Sequence, residues 1–354
     1  MKGVILAAGE GKRLRPLTHT GPKHLLPLVG KPIIRYGIEK LKGLGLNEIG
    51  VVVGYRADDI RGYLRDGSDY GVRIKYFLQQ PQKGIAHALK FAEEYLQDDM
   101  FVVYLGDNLL KQDIKKFAYE FEKKNYDAFI LLSEVRDPER FGVAVMDGKR
   151  VVKLVEKPRE HISDLALVGV YFLKPAIFSA IREISPSWRG ELEITDAIQW
   201  LIDHGYEVKA GMVEGWWADT GTDLDLLEAN YLLLEDLEPD NRANMEDNVK
   251  VVGKVQIEEG TTMKSNTMVR GPVYVGRNCM IDNATIRPFT SIGDNCEIRN
   301  TEIEHSIVLD GCKILCRRRI VDSIIGRNST LLSQDETLTN GCKLVVGENS
   351  RLYI

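Results

Sequence analysis

Cysteine is absent before residue 279 of this 354-residue chain. The five present, Cys279, Cys296, Cys312, Cys316 and Cys342, all lie in the last third. The apolar run Val4–Ala8 is too short for a signal-peptide core. An odd cysteine count in such a chain argues against a disulfide framework. Cys312 and Cys316 lack a second pair with which to complete a zinc site, so all five are expected to be small buried residues. No apolar stretch approaches the roughly 20 residues of a membrane span. Positive charge is not in excess either: 47 Lys and Arg face 52 Asp and Glu, for a net charge of −5. That balance excludes the broad basic footprint of a nucleic-acid binder. The expectation is a cytoplasmic protein with no nucleic-acid and no membrane partner. Any anion site must gather its cations locally.

What is present is ample apolar material, 44% of residues, in a chain long enough for two domains. The first two thirds alternate strand and helix signals. Gly3–Ala7, Ile49–Val53 and Met100–Leu105 are short apolar runs, the texture of strands buried on both faces. Between them Ile34, Ile38, Leu41 and Leu44 recur at helical spacing, as do Ile85, Ala88, Leu89, Ala92 and Leu96. The alternation predicts an α/β fold with a mostly parallel sheet, whose ligands bind at the carboxyl ends of the strands. A last helix is expected from about Thr222 to Leu237, and the polar stretch Glu238–Asn248 reads as a linker.

From about Val249 the texture changes. Ile257, Met263, Val269, Val275 and Ile281 fall six apart. After one five-residue step, Ile286, Ile292 and Ile298 continue the series. Val275-Gly276, Ile292-Gly293 and Ile325-Gly326 repeat one pattern, and Asn278-Cys279 and Asn295-Cys296 another. This period is that of a parallel β-helix, whose coils bury their faces only against one another.

The turn after the first strand reads Leu6-Ala-Ala-Gly-Glu-Gly-Lys-Arg-Leu-Arg-Pro16. Gly9 and Gly11 let backbone N–H groups approach a phosphate, and Lys12, Arg13, Arg15 and Lys23 add cations. It is not a Walker A loop, because Arg13 follows Gly-Lys where Ser or Thr is needed. It is not the dinucleotide fingerprint, because Leu14 stands at the third glycine.

This segment, with Pro22-Lys23-His-Leu-Leu-Pro27, resembles the start of the sugar nucleotidylyltransferases. Over the whole chain, β-helix included, the sequence is similar to their long-form glucose-1-phosphate thymidylyltransferases. The resemblance implies a Rossmann-like nucleotidyltransferase domain over 1–240 and a left-handed β-helix over 249–354. It implies that Leu6, Ala8, Gly9 and Gly11 line the nucleotide, with Arg13 and Lys23 on its phosphates. Relatives usually carry Thr at Lys12; the extra charge either strengthens triphosphate binding or faces solvent. Gln79, whose amide suits the imide edge of thymine or uracil, and Gly84 are implied at the base. Gly142, Glu156, Lys157, Leu167 and Arg189 are implied at the sugar phosphate. Asp107 and Asp219 each follow an apolar run. Either could cap a helix, but the resemblance places both on Mg²⁺, an ion usually held by one or two carboxylates plus substrate phosphates.

The reaction so implied is attack by a sugar-phosphate oxygen on the α-phosphorus, with pyrophosphate leaving. A phosphate monoester is mostly dianionic at pH 7 and needs no general base. Catalysis then reduces to positioning and charge neutralisation by Arg13, Lys23, Asp107 and Lys157. The expected substrates are dTTP and glucose 1-phosphate. UTP remains open, since one methyl distinguishes the bases by only ~1–3 kcal/mol, and so does N-acetylglucosamine 1-phosphate. An acyltransferase in the β-helix is a further alternative, for which His305 is that region's one histidine. The β-helix is expected to mediate homo-oligomers.

Overall fold

The computed structural model describes residues 1–148, 150–333 and 344–353. Cys342 lies outside the described residues. Packing divides the chain into two compact units, Met1–Glu10 with Ile34–Trp217, and Gly11–Ile33 with Ala218–Ile354.

The first unit is built on a nine-stranded sheet. Its strands are β1 (Lys2–Ala7), β2 (Glu48–Val53), β3 (Arg73–Leu78), β4 (Phe101–Leu105), β5 (Ala128–Glu134), β6 (Gly142–Asp147), β7 (Arg150–Glu156), β8 (Leu165–Leu173) and β9 (Val208–Met212). Their order is β3-β2-β1-β4-β8-β5-β9-β7-β6. The four N-terminal strands are parallel; β1, β2 and β4 carry the apolar runs that predict it, while the edge strand β3 alternates exposed and buried residues. The other half is mixed: β8 runs antiparallel to β4 and β5, and β6 with β7 forms an antiparallel hairpin. Val4, Ile5 and Ala7 are fully buried, and so are Ile34, Ile38 and Leu41 of the helix Ile33–Gly43. The single helix expected over 85–96 is two, Ile85–Lys90 and Glu93–Leu96, because the backbone at Ala92 leaves helical geometry (φ −101°, ψ 1°).

The second unit contains the left-handed β-helix. Among the described residues, three sheets of seven, seven and five short parallel strands stack coil on coil. Ile257, Met263, Val269, Val275, Ile281, Ile286, Ile292 and Ile298 are all buried inside. The five-residue step has a structural counterpart. Val255 pairs with Val273, eighteen residues on, but Val273 pairs with Thr290, only seventeen on. At one corner Asn278, Asn295 and Gly311 take the left-handed conformation that asparagine tolerates and glycine adopts freely. The residue after each turns inward. Cys279, Cys296 and Cys312 are buried there, each Sγ donating to a carbonyl of the next coil at 3.1 to 3.2 Å. Cys316 is likewise buried, its Sγ 4.0 Å from Thr301 Oγ1. These four cysteines are thus the small buried residues expected.

The linker expected over 238–248 is instead the first coil. Asp240–Asn241 pairs with Gln256–Ile257, and Asn244–Met245 with Thr262–Met263. An end coil is covered on one side only, so its outward residues stay polar and the aliphatic period fails there. The helix Asp223–Glu235 belongs to this unit by packing. Asn230 Nδ2 donates to Phe289 O at 3.2 Å, Ser291 Oγ donates to Asn230 Oδ1 at 2.7 Å, and the rings of Tyr231 and Phe289 lie 4.1 Å apart.

Candidate active site

In the first unit the parallel strands bring their carboxyl ends to one edge. Leu6 O accepts from Gly106 N at 2.9 Å, so the end of β1 is tied to the turn that carries Asp107. Ala8 O accepts from Tyr55 N at 3.2 Å. A Cβ on Gly54 would stand 2.7 Å from that oxygen, which makes Gly54 a close-approach glycine that the sequence reading missed.

Gln79 follows β3 and is buried, its backbone N–H bonded to Val53 O at 2.8 Å. Its amide nitrogen donates to Gly84 O at 3.1 Å and meets His87 Nδ1 at 3.0 Å. Burial, then the charges of Lys83 and Lys90, push the His87 pKa down, which favours the neutral ring; because an amide nitrogen can only donate, the contact takes the tautomer with Nδ1 unprotonated. Both N–H donors of Gln79 are therefore engaged, leaving its carbonyl oxygen for a ligand. Gly84 has φ +101°, and a Cβ there would lie 2.5 Å from Leu192 O. Leu192 N in turn donates to Lys83 O at 2.8 Å, and Ala86 N to Leu192 O at 3.1 Å.

Gly142 and Glu156 are cross-strand partners of the β6–β7 hairpin. A Cβ on Gly142 would stand 3.0 Å from Glu156 Oε2, 3.9 Å from Leu167 Cδ1 and 2.5 Å from Thr195 Cγ2. Three sequence-predicted sugar residues therefore converge. Thr195, buried, was missed; its Oγ1 donates to Glu156 Oε2 at 3.2 Å. The only signal for it was its place in Glu193-Ile-Thr-Asp196. Lys157 has a left-handed backbone (φ 42°) and its N–H donates to Phe141 O at 3.0 Å. Arg189 is gripped by three carboxylates, Glu191 at 3.1 Å, Glu193 at 3.3 Å and Glu156 at 3.4 Å. Burial pushes the Glu156 pKa up against the pull of Lys157, Arg189 and Thr195. Burial, with Glu156 nearby, holds Glu193 up at about 7.

Asp107 is set by Asn108. Asn108 is buried, and its Nδ2 donates to Asp107 Oδ1 at 3.0 Å. Its Oδ1 accepts from Trp217 Nε1 at 2.7 Å and from Gly169 N at 3.3 Å, where β8 bulges. Tyr104 OH donates to Asn108 O at 3.1 Å.

In the second unit Gly11 is left-handed (φ 66°, ψ 36°). Its carbonyl accepts from Thr18 Oγ1 at 2.8 Å, and a Cβ on it would stand 3.1 Å from Lys23 Cβ. Lys12 and Arg13 are exposed in the short turn Lys12–Leu14. Arg13 and Asp219 border one glycine: a Cβ on Gly221 would lie 3.1 Å from Arg13 Nη2, 3.0 Å from Asp219 Oδ2 and 3.4 Å from Asp225 Oδ2. Asp219 does not cap the following helix; Thr222 does, accepting from Asp225 N at 3.2 Å. Among the described residues no group of three or more His, Cys, Asp or Glu could hold a metal ion. No helix among them is long and apolar enough to cross a membrane.

Residues 2–236 match the nucleotidyl transferase family. The chain is 46% identical to the low-salt glycan biosynthesis nucleotidyltransferase Agl11 of Haloferax volcanii, over all of both chains. It is 42% identical to a glucose-1-phosphate thymidylyltransferase of Streptomyces griseus, covering 100% of this chain and 99% of that one. Among solved structures, a Bacillus anthracis chain described as a glucose-1-phosphate thymidylyltransferase, in complex with sucrose, superposes with a TM-score of 0.63 at 40% identity. The match covers 68% of this chain and 98% of that one. A UDP-glucose pyrophosphorylase complexed with UDP-glucose gives 0.60 at 26% identity, covering 66% and 98%.

Proposed function

The chain belongs to the nucleotidyl transferase family, and from that premise we propose that this sugar nucleotidyltransferase transfers thymidylyl from dTTP to glucose 1-phosphate, releasing pyrophosphate. The observation that carries the reading is the convergence of Gly142, Glu156, Leu167 and Thr195: the missing side chain of Gly142 lets Thr195 and the Glu156 carboxylate come together, and that carboxylate can accept from sugar hydroxyls. The full-length likeness to the Streptomyces griseus enzyme supports the same substrates.

The residues act by holding and neutralising. The Gln79 carbonyl accepts the N3–H of thymine. Arg13 and Lys23 offset the triphosphate, and Gly9 and Gly11 let backbone N–H groups approach it. Lys157 holds the sugar phosphate, whose dianion is the nucleophile and needs no base. Arg189, held by its three carboxylates, orients Glu156. Asp107 and Asp219 fit Mg²⁺ in their chemistry: the ion takes few protein carboxylates and the phosphates as well, and Asn108 leaves Asp107 in one orientation. Bound there, Mg²⁺ would supply charge neutralisation at the α-phosphate. We further propose that the protein is cytoplasmic and self-associates through its β-helix.

The UDP-glucose pyrophosphorylase likeness favours one second reading, transfer of uridylyl from UTP, because uracil presents the same N3–H to Gln79. The deciding experiment is pyrophosphate release with Mg²⁺ for dTTP, UTP, ATP, CTP and GTP, each with glucose 1-phosphate and N-acetylglucosamine 1-phosphate. dTTP with glucose 1-phosphate is expected to lead. UTP in the lead selects the second reading. The acetylated sugar in the lead makes an acetyl-CoA assay of His305→Ala the next measurement. No release with any pair refutes both readings.

A further inference from the structure

We infer that the β-helix is the frame that positions the phosphate-gripping segment, and that Arg327 is its positioning residue. The inference rests on the reading of Arg13 and Lys23 as phosphate ligands.

Segment Gly11–Ile33 meets the β-helix at three places along its length. Near its start, Pro16 Cβ lies 3.2 Å from where a Cβ on Gly347 would stand. Near its end, the Tyr274 hydroxyl lies 2.2 Å from the Cβ position of Gly30, so only glycine fits beneath that ring. Between them, Arg327 Nη2 donates to Leu25 O at 3.2 Å.

The middle contact is a built one. Arg327 Nε pairs with Asp310 at 3.3 Å and Nη1 with Glu348 at 3.3 Å. Asp310 lies one coil before Arg327 and Glu348 one coil after, as the backbone bonds Asn328 N to Asp310 O and Asn349 N to Arg327 O establish. Two carboxylates on successive coils thus fix a planar guanidinium, and its remaining edge meets one carbonyl. That carbonyl belongs to the turn Lys23–Leu25, closed by Leu25 N to Pro22 O and Leu26 N to Lys23 O, both 3.0 Å. Lys23 in turn packs on Gly11. The route from Arg327 to Leu25, Lys23 and Gly11 is continuous contact.

The physical need is clear. A left-handed glycine and a segment without long helix or strand have little order of their own. A binding loop held in its bound shape loses less conformational freedom when the ligand arrives. The expected signature of losing Arg327 is therefore weaker nucleotide binding, without loss of the sugar site.

The test is Arg327→Ala beside Arg327→Lys, in the full chain. Steady-state kinetics, Tm and amide hydrogen exchange are the readouts. Arg327→Ala is expected to raise KM for the nucleoside triphosphate about fivefold, with kcat and KM for glucose 1-phosphate within about twofold. The amides of Leu25 and Leu26 should exchange faster. Arg327→Lys, which keeps a donor but not the fork, should fall between. A loss shared by kcat and both KM values, following a fall in Tm, overturns the inference and leaves Arg327 a stabiliser of the coils. Unchanged exchange at Leu25 and Leu26 overturns it too, even if the wild type turns over no nucleotide and the functional reading has fallen.

Discussion

The side-chain amide of Asn108 donates to Asp107 Oδ1 at 3.0 Å, and Asn108 is itself 3% exposed. Its oxygen is occupied by Trp217 Nε1 and Gly169 N, so the amide cannot turn over without leaving donors unmatched. One oxygen of Asp107 is thereby committed to Asn108, and the carboxylate has a fixed direction. Asn108→Ala is expected to lower kcat about 10- to 100-fold and to raise the Mg²⁺ concentration for half-maximal rate. A Mg²⁺ titration of initial rates measures both. An unchanged titration would mean that the direction of Asp107 does not matter to turnover.

Asp107→Ala removes the carboxylate itself. Asp107 sits in a turn and is only half-buried, so the variant should keep the wild-type far-ultraviolet circular dichroism and lose turnover. Normal turnover would remove Asp107 from the metal.

Thr195→Val keeps the shape and deletes the hydroxyl that donates to Glu156. Glu156 stays paired to Arg189, so the pocket should persist with its carboxylate less firmly aimed. KM for glucose 1-phosphate is expected to rise about fivefold, the worth of one hydrogen bond near 1 kcal/mol. KM for dTTP should not move. Equal changes in both constants would count against a role confined to the sugar.

Gly84→Ala combines two costs. The backbone is at φ +101°, and the new methyl would meet the Leu192 backbone at 2.5 Å, where nothing flexible can yield. A loss of about 2–4 kcal/mol is expected, read as a lower Tm, with a higher KM for the nucleotide. A Tm within a degree of wild type would show that the segment over 79–86 can rearrange freely.

The legibility of this chain was uneven for physical reasons. The β-helix was plain because one inward position recurs every six residues, and the step from Ile281 to Ile286 even marked the shorter coil. The parallel strands β1, β2 and β4 were plain because burial on both faces leaves unbroken runs such as Ile49–Val53. The first coil was hidden because an uncovered end carries no aliphatic period. The antiparallel half of the sheet was hidden too, since β8 is buried on both faces like a parallel strand. Within the site, Gly142, Glu156 and Leu167 came from family likeness, and the structure brings them together. Thr195 and Asn108 escaped because their roles are hydrogen bonds to residues distant in sequence or to an adjacent carboxylate. Neither leaves a spacing pattern.

Glu193 makes stability depend on pH. Burial, with the nearby Glu156, raises its pKa from 4.5 to about 7, while Ser187 and Arg189 pull the other way. Between those values the folded chain holds a proton that the unfolded chain has released, so stability falls as pH rises. The contribution is fully present below about pH 4.5 and lost as pH passes about 7. Glu156, shifted upward mainly by burial, adds a slope of the same sign. For Glu193 the change is on the order of 1–3 kcal/mol. Glu193→Gln fixes the neutral form and should still accept the Ser187 hydroxyl. Its Tm should therefore decline less than that of the wild type between pH 5 and pH 8. The curves should converge at the acid end, because both side chains are uncharged there. Parallel curves across the range would mean that Arg189 keeps Glu193 ionised throughout, and that the guanidinium is neutralised by three full negative charges rather than two.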